Sequence, residues 1–176
     1  MDSVKKRCQL SDFTIVVCAY KDCQLGFHSG EIAEIVSADA CPVYRKVLPG
    51  TRFVMGYARY ETCEVPIIAL TSLAGKAPQK EYAKIIFLRD SMQSIPCGIA
   101  VGTSVKLING SIEKIMLMPE YIQQRLRLPI YWGVYCEREE QVLLCSLQKV
   151  MYISDIAACL YQAKAKQKEG NNYGRQ

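Results

Sequence analysis

Short apolar runs separated by polar turns extend along most of the chain, a pattern typical of β-strands. The first run is the β-branched segment 13–20, which Lys21-Asp22 separates from a return strand at 24–27. Further strand pairs are predicted at 54–60 with 65–70, at 84–88 with 97–101, and at 134–136 with 141–147. The sequence therefore predicts a mainly β protein.

A few segments depart from this pattern. Ser29-Gly30-Glu31 is predicted to open a brief helical stretch whose apolar face consists of Ile32, Ala33, Ile35 and Val36. Asn109-Gly110 is a dipeptide favoured in tight turns. Pro66 predicts an edge position or a bulge, because proline cannot donate to a strand ladder. Ser154-Asp155 is predicted to cap a final helix with Ile156, Leu160 and Tyr161 on its apolar face.

The two halves of the chain resemble each other in the order of their strands and glycines. Gly56 lies nine residues before the run 65–70, and Gly133 lies nine residues before the run 142–147. Early glycines, Gly26 and Gly98, also match, at offsets of 72 to 77 residues overall. This spacing predicts duplication of one unit of about five strands. Closing each unit into a barrel is the natural way to remove its sheet edges.

The predicted fold is thus two small five-stranded SH3-like β-barrels packed side by side, with short helices and a C-terminal helix. The whole domain is expected over 10–153. The first barrel would span about 13–75, with contributions from the C-terminal strand and helix, and the second about 83–150. The polar segment 75–82 would link them.

Composition agrees with a compact globular protein and restricts its location. Of the 176 residues, 50% are hydrophobic and 22% are charged. No apolar run is long enough to cross a membrane, so we expect a cytoplasmic protein without membrane insertion. The net charge of +5 comes partly from basic termini at 1–9 and 164–176, which we expect to be flexible. These ends are either simply solvated, which we favour, or attract nucleic acid or membrane.

The nine cysteines do not suggest a disulfide framework or a zinc site. Their number is odd, and the chain has no C-x-x-C pair. Cys18, Cys97 and Cys145 lie inside apolar runs and are interpreted as small buried hydrophobes. We therefore expect no metal and no cofactor.

Signals of enzymatic chemistry are weak. His28 is the only histidine, and its position after a strand favours a structural role. The common hydrolase, zinc-protease, phosphate-loop and dinucleotide-binding motifs are absent. Glu137, Glu139 and Glu140 are interpreted as a solvated hairpin tip. A thiol enzyme that pairs a cysteine with His28 stays open as an alternative, but we expect no catalytic residues.

A second alternative is a small barrel that binds nucleic acid, since such barrels stack bases on aromatic side chains within basic grooves. Tyr57, Arg59 and Tyr60 interleave aromatic and basic character, but Glu61 and Glu64 follow at once. We therefore expect no nucleic-acid partner.

Several short motifs resemble, in their order, the CheW family of chemotaxis coupling proteins. Leu48-Pro49-Gly50 precedes Val54-Met55-Gly56, and Val65-Pro66-Ile67-Ile68 with Leu70 follows, as in that family's hallmark region. The segments 25–36, 98–101 and 133–147 are similar to further family motifs, so the resemblance covers roughly 10–150.

This sequence also departs from the family pattern at several positions. The family's Asn-Leu-Arg-Gly turn reads Arg59-Tyr60-Glu61-Thr62, so that Glu61 replaces an arginine. Ala69, Ser146 and Gly102 stand where aspartates are usual.

The resemblance implies a non-catalytic adaptor that bridges methyl-accepting receptors to a CheA-type histidine kinase. One barrel would dock the regulatory domain of the kinase, and the groove between the barrels would receive the helical tip of the receptor. The departures fit a divergent member serving a pilus-motility or phototaxis system. By motif position, the partner-facing residues are Val36, Tyr57, Arg59 and Glu61, with Val101 lining the groove, although Val36 and Val101 are equally explained as core residues.

Overall fold

The fold is built almost entirely from short strands. The structure, a computed structural model, describes residues 13–44, 51–89, 97–153 and 156–159. The strands are β1 (Phe13–Tyr20), β2 (Cys23–His28), β3 (Ile32–Ser37), β4 (Val54–Tyr60), β5 (Cys63–Ala69), β6 (Lys84–Leu88), β7 (Gly98–Val101), β8 (Ser104–Gly110), β9 (Ile115–Leu117), β10 (Tyr131–Glu137) and β11 (Glu140–Cys145). The α-helices are α1 (Leu70–Leu73), α2 (Glu120–Gln123) and α3 (Leu147–Met151), and 3₁₀ turns cover Ser29–Glu31 and Ile112–Lys114.

The first sheet has six strands in the order β8-β1-β2-β11-β10-β9. Its two outermost strands, β8 and β9, are consecutive in the chain and are joined only by the residues around the turn Ile112–Lys114. A flat sheet of six strands would place them about 24 Å apart. The connection, tightened by its 3₁₀ turn, spans less than about 18 Å. The sheet must therefore curl towards a barrel.

The second sheet has five strands in the order β3-β6-β7-β5-β4. Its outermost strands are β3 and β4, and the chain that follows β3 reaches the free side of β4. Tyr44 forms an isolated antiparallel bridge with Tyr57 on β4. The Tyr44 amide donates to the Tyr57 carbonyl at 2.7 Å, and the Tyr57 amide donates back at 3.0 Å. This bridge occupies the place that β9 holds against β10 in the first sheet, where Val134 pairs with Met116.

The duplication expected from the sequence is visible in the strand registers. In the β4–β5 hairpin the register shifts between Val54 and Gly56, and Gly56 pairs with Ile67. In the β10–β11 hairpin the register shifts between Tyr131 and Gly133, and Gly133 pairs with Leu144. The central parallel pairings correspond as well, since Ile67 lies opposite Gly98 and Leu144 lies opposite Gly26.

The sequence predicts a first barrel over about 13–75, with C-terminal contributions, and a second over about 83–150, but the strands are distributed differently over the two sheets. The six-stranded sheet combines β1 and β2 with β8 to β11, and the five-stranded sheet contains β3 to β7. Each repeat thus donates its first two strands to the sheet of the other. The segment 75–82, predicted as a linker between barrels, instead joins α1 to β6 on the way from β5 to β6 of the same sheet. The domain bounds of 10–153 stay a prediction.

Gly26 and Gly98 lie where strands of the two repeats approach each other closely. A β-carbon on Gly26 would lie 2.8 Å from Val142 Cγ1 and 2.9 Å from Ile15 Cγ2. A β-carbon on Gly98 would lie 2.6 Å from Ile67 Cδ1. Strands from different repeats meet at both places, so glycine is required by close approach on each side of the exchange.

The cores of the two sheets are different in extent. Ile15, Val17, Tyr135, Val142 and Leu144 form a small cluster inside the six-stranded sheet. A larger cluster consists mainly of residues from the five-stranded sheet. It also includes Val16, Phe27 and Cys145, which lie on the face of the first sheet opposite to that of Ile15 and Val17. The two sheets therefore share one apolar seam, which confirms the side-by-side arrangement expected from the sequence.

Three local predictions are corrected by strand pairing. The helical stretch ends at Glu31, and residues 32–37 form β3 instead, because they pair with β6. Asn109-Gly110 is not a turn but the end of β8, paired with Thr14 and Phe13, and the bend comes after it. Pro66 lies in β5, which has neighbours on both sides. It is tolerated because pairing with β7 begins only at Ile67.

Some predicted features fall on parts of the chain outside the described residues. These are the basic termini 1–9 and 164–176, the Leu48-Pro49-Gly50 motif, the capping pair Ser154-Asp155, and Leu160 with Tyr161. Residues 156–159 are helical, and Ile156 is buried as expected for the apolar face of the final helix.

Candidate partner-binding site

The tip of the β4–β5 hairpin projects two of the predicted partner-facing residues into solvent. Tyr60 pairs with Cys63, so Glu61 and Thr62 form a two-residue turn. Glu61 has a φ of 53°, in the left-handed region. Arg59 and Glu61 are both exposed. The structure therefore places the two charges at the surface, as hairpin geometry predicts.

The surroundings of this tip are acidic. Tyr60, the last residue of β4, stacks on the buried Phe87 with ring centroids 4.1 Å apart, so its ring packs against the core. Its pKa is raised, first by burial and then by the negative charges of Glu34 and Glu61. Glu34 on β3 and Glu61 thus lie close enough to Tyr60 to influence the same hydroxyl. With Glu64, which is also exposed, the tip has three carboxylates against one exposed cation, Arg59, which lies opposite Glu64 in the strand register, so its surface is negative on balance.

The equivalent tip of the β10–β11 hairpin has a different charge balance. There Glu137 forms an ion pair with Lys114 and accepts a hydrogen bond from the Tyr135 hydroxyl at 2.9 Å. The lysine and the hydroxyl hold the pKa of Glu137 below its usual value. Glu140 pairs with Lys106 at 2.6 Å. Across the described ranges, by contrast, no cation lies within ion-pair distance of Glu61.

Two of the five predicted partner-facing residues are not at the surface. Tyr57 is buried, and its pKa is raised first by that burial and then by a hydrogen bond with Cys159. Val101 is 0% exposed and belongs to the large core. Burial removes both side chains from the exposed surface, and their part in partner binding stays a prediction. Val36 is half-buried on β3 and packs against the same core.

His28 has a structural role, as its strand-end position suggested. Its Nδ1 accepts a hydrogen bond from the Gly30 amide at 3.1 Å, which caps the first 3₁₀ turn. Its ring lies 5.2 Å from that of Phe13. Cys18, Cys97 and Cys145 are buried, which confirms their interpretation as small core residues. Burial also raises the pKa of the Cys97 thiol well above its ordinary value, so this sulfur stays protonated.

Neither a metal centre nor a membrane span is found in the described parts of the chain. Within those ranges, no group of three or more His, Cys, Asp or Glu side chains is arranged to hold a metal ion. None of the helices described is long and apolar enough to cross a bilayer.

Comparison with known proteins gives a fold but no sequence family. No family model matches the chain, and no curated protein matches its sequence. Among solved structures, the scaffolding protein TtCheW from Thermoanaerobacter tengcongensis superposes with a TM-score of 0.65 at 17% sequence identity. The match covers 82% of this chain and 96% of that one. The fold is CheW-like. The CheW-like arrangement accounts for the shared seam and confirms the resemblance drawn from the motifs.

Two apolar residues are exposed in the structure that the sequence pattern did not place at the surface. Ile35 on β3 is 39% exposed and Leu107 on β8 is 69% exposed. Each lies on an edge strand, one in either sheet of the CheW-like fold. The sequence pattern placed Ile35 on the apolar face of a predicted helical stretch and assigned no strand to Leu107. Neither residue was therefore predicted as an exposed position of a strand.

Proposed function

We propose that this protein is a non-catalytic cytoplasmic adaptor that couples chemoreceptors to a CheA-type histidine kinase. The observation that carries the proposal is the CheW-like fold across 82% of the chain, together with a hairpin tip where the motif resemblance places partner contacts and where Glu61 forms no ion pair with any described residue. The described histidine and buried thiols have structural roles, which fits a protein that works by binding others.

In this proposal, the β4–β5 hairpin docks the regulatory domain of the kinase through Arg59 and Glu61. Relatives with the usual motif carry arginine where this chain has Glu61. The negative surface formed with Glu34 and Glu64 therefore requires a partner that is basic at this point. Charge complementarity of this kind governs partner choice and association rate more than total affinity. The charge reversal thus makes the adaptor specific for its own kinase.

The helical tip of the receptor is proposed to bind at the exposed edges of the two sheets. Ile35 and Leu107 supply apolar surface there, and Val36, the next residue to Ile35 on β3, packs against the core. Val101 and Tyr57 support the surface from beneath without touching the partner. An apolar groove is the usual receptor for one face of an amphipathic helix. The losses of family aspartates fit service in a pilus-motility or phototaxis system.

The kinase contact is tested by measuring the affinity of the purified protein for the regulatory domain of the cognate kinase. Glu61→Arg reverses the charge at the exposed tip and is expected to weaken binding by about tenfold or more, since like charges then oppose each other. Arg138→Glu is the matched control, because it makes the opposite reversal at the equivalent position of the other hairpin. It is expected to leave the affinity nearly unchanged.

Equal losses for Glu61→Arg and Arg138→Glu would contradict docking through the first hairpin. Absence of binding by the unaltered protein would contradict the adaptor itself. A parallel titration with single-stranded oligonucleotides separates the adaptor from a nucleic-acid-binding barrel, because the latter would bind them in a strongly salt-dependent way.

A further inference from the structure

One face of the β4–β5 hairpin is covered near its base and open near its tip. Tyr57 and Arg59 lie two residues apart on β4, so their side chains point to the same face of the sheet. Across the hairpin, Glu64 pairs with Arg59 and therefore lies on that face as well. Tyr57 is buried, whereas Arg59 and Glu64 are exposed. The cover over this face therefore ends between Tyr57 and the Arg59–Glu64 pair.

The C-terminal end of the described chain contributes to the cover over Tyr57. The side chains of Tyr57 and Cys159 are hydrogen-bonded, and Cys159 is itself buried. Residues 156–159 are helical, and Cys159 is the last residue that the structure describes. The sequence continues with residues 160–176, which we call the tail. The tail therefore starts beside Tyr57, on the face that leads to the hairpin tip.

The tail is basic. Four cations stand against one carboxylate, which gives a net charge of +3; these residues are Lys164, Lys166, Lys168, Arg175 and Glu169. The three lysines occupy alternate positions. Alternate residues of an extended chain point to the same side, so the three amines can face one surface together.

The hairpin tip carries the complementary charge. Glu61 and Glu64 are exposed, and neither forms an ion pair with another residue of the described ranges. Arg59 offsets one of these charges, but Glu34 on β3 adds a third carboxylate close to Tyr60. The tip is therefore negative on balance and attracts a cationic segment.

The tail reaches the tip whether it is extended or helical. Glu61 lies four residues beyond Tyr57 along the hairpin, at a distance of about 13 Å. An extended chain brings Lys164, five residues after Cys159, up to about 17 Å from the start of the tail. A continued helix brings Lys168, nine residues after Cys159, to about 13 Å. The length of the tail therefore allows the contact in both conformations.

We propose that the tail binds across the tip of the β4–β5 hairpin through Lys164, Lys166 and Lys168, and competes there with the kinase. The contact itself follows from charge and chain geometry, whereas the competition rests on the proposed function, in which the kinase contacts Glu61. Exposed ion pairs are individually weak, but tethering gives the tail a high effective concentration at the tip. A tail that occupies the tip for about two-thirds of the time lowers the apparent affinity for the kinase about threefold.

The contact is tested by zero-length carbodiimide cross-linking of the full chain, which joins a lysine amine to a carboxylate only where the two groups touch. Unlabelled and heavy-isotope-labelled protein are mixed, so that mass spectrometry separates links within one chain from links between two copies. Links within one chain from the tail lysines to Glu61 or Glu64 are expected about fivefold more often than links to Glu139. Glu139 is the matched control, because it is an exposed glutamate in the turn of the equivalent β10–β11 hairpin. Equal frequencies at Glu61 and Glu139, or links only between copies, would overturn the proposal.

The competition is tested by the affinity of full-chain variants for the regulatory domain of the kinase. The tail variant carries Lys164→Ala, Lys166→Ala and Lys168→Ala. It is expected to bind about threefold more tightly than the unaltered protein, because the tip is then free.

The control variant makes the same change of net charge at the other end of the chain, with Lys5→Ala, Lys6→Ala and Arg7→Ala. It is expected to bind like the unaltered protein. Equal gains in the two variants, or no gain in the tail variant, would overturn the competition. Absence of kinase binding by every variant would contradict the adaptor function alone, because the cross-links decide the tail contact without the kinase.

Discussion

Glu61 and Arg138 occupy the same position in two equivalent hairpins and carry opposite charges. Both are the first residue of a two-residue turn, with φ values of 53° and 54°. They lie 77 residues apart in the chain, and the registers of their hairpins agree through the glycine bulges. The repeat thus kept its backbone geometry while its tips diverged in charge, which is where an adaptor would acquire different partners.

The positive φ at these tips predicts a stability gain on substitution by glycine. Arg138→Gly removes the clash between Cβ and the backbone that a left-handed conformation imposes, although glycine adds freedom to the unfolded chain. We expect a net stabilisation of up to about 1 kcal/mol, measured by urea unfolding. Thr62→Gly is the control, because Thr62 does not have a positive φ and gains nothing from glycine. A loss of stability for Arg138→Gly equal to that of Thr62→Gly would contradict this account.

Gly26 and Gly98 give a second prediction, on the exchange of strands between repeats. Gly26→Ala forces a β-carbon against Val142 and Ile15, and Gly98→Ala forces one against Ile67. Overpacking of a close-packed core costs about 1–3 kcal/mol, so both variants should unfold at lower urea concentration by similar amounts. If only one of them were destabilised, the two contact regions would not be structurally equivalent.

Much of the fold was predictable because the strands are short apolar runs with clear turns between them. The hairpins around Glu61 and Arg138 and the shared seam followed from local pattern and from the spacing of Gly56 and Gly133. The distribution of strands over the two sheets was not predictable in this way. It depends on parallel pairings such as that of Ile67 with Gly98, and no local signal specifies which distant strand lies alongside.

In the candidate site, too, local features were predictable from the sequence and contacts between distant segments were not. Arg59 and Glu61 were predictable as surface residues, because charges beside a hairpin tip stay in water. Tyr57 was not predictable as buried, since Cys159, which lies beside it, is far away in the chain, whereas Val101 lies in an apolar run and was equally explained as a core residue.

Gln79 carries a third prediction, because it is a buried polar side chain with both ends satisfied. Its Oε1 accepts from the Thr71 amide at 3.2 Å, and its Nε2 donates to the Ala100 carbonyl at 2.9 Å. Gln79→Leu leaves both backbone groups without a partner in the interior, and we expect a loss of about 2–4 kcal/mol in urea unfolding. Lys80→Ala, at the exposed neighbouring position, should change stability by less than about 0.5 kcal/mol. Comparable losses in the two variants would show that the hydrogen bonds of Gln79 contribute little.

Glu31 predicts how stability depends on pH. Its pKa is raised, chiefly because burial disfavours the charged carboxylate, and this outweighs the hydrogen bond that its Oε1 accepts from the Gln148 amide at 3.4 Å. A raised pKa in the folded state means that the contribution of Glu31 to stability is fully present below the unfolded pKa and is lost as pH rises through the folded one. Glu31→Gln keeps the acceptor oxygen and removes the titration. The variant should therefore be more stable relative to the unaltered protein at pH 7 than at about pH 4, measured by urea midpoints at both values. A difference that is constant across this range, or larger at pH 4, would contradict the burial of an ionised Glu31 as the cause.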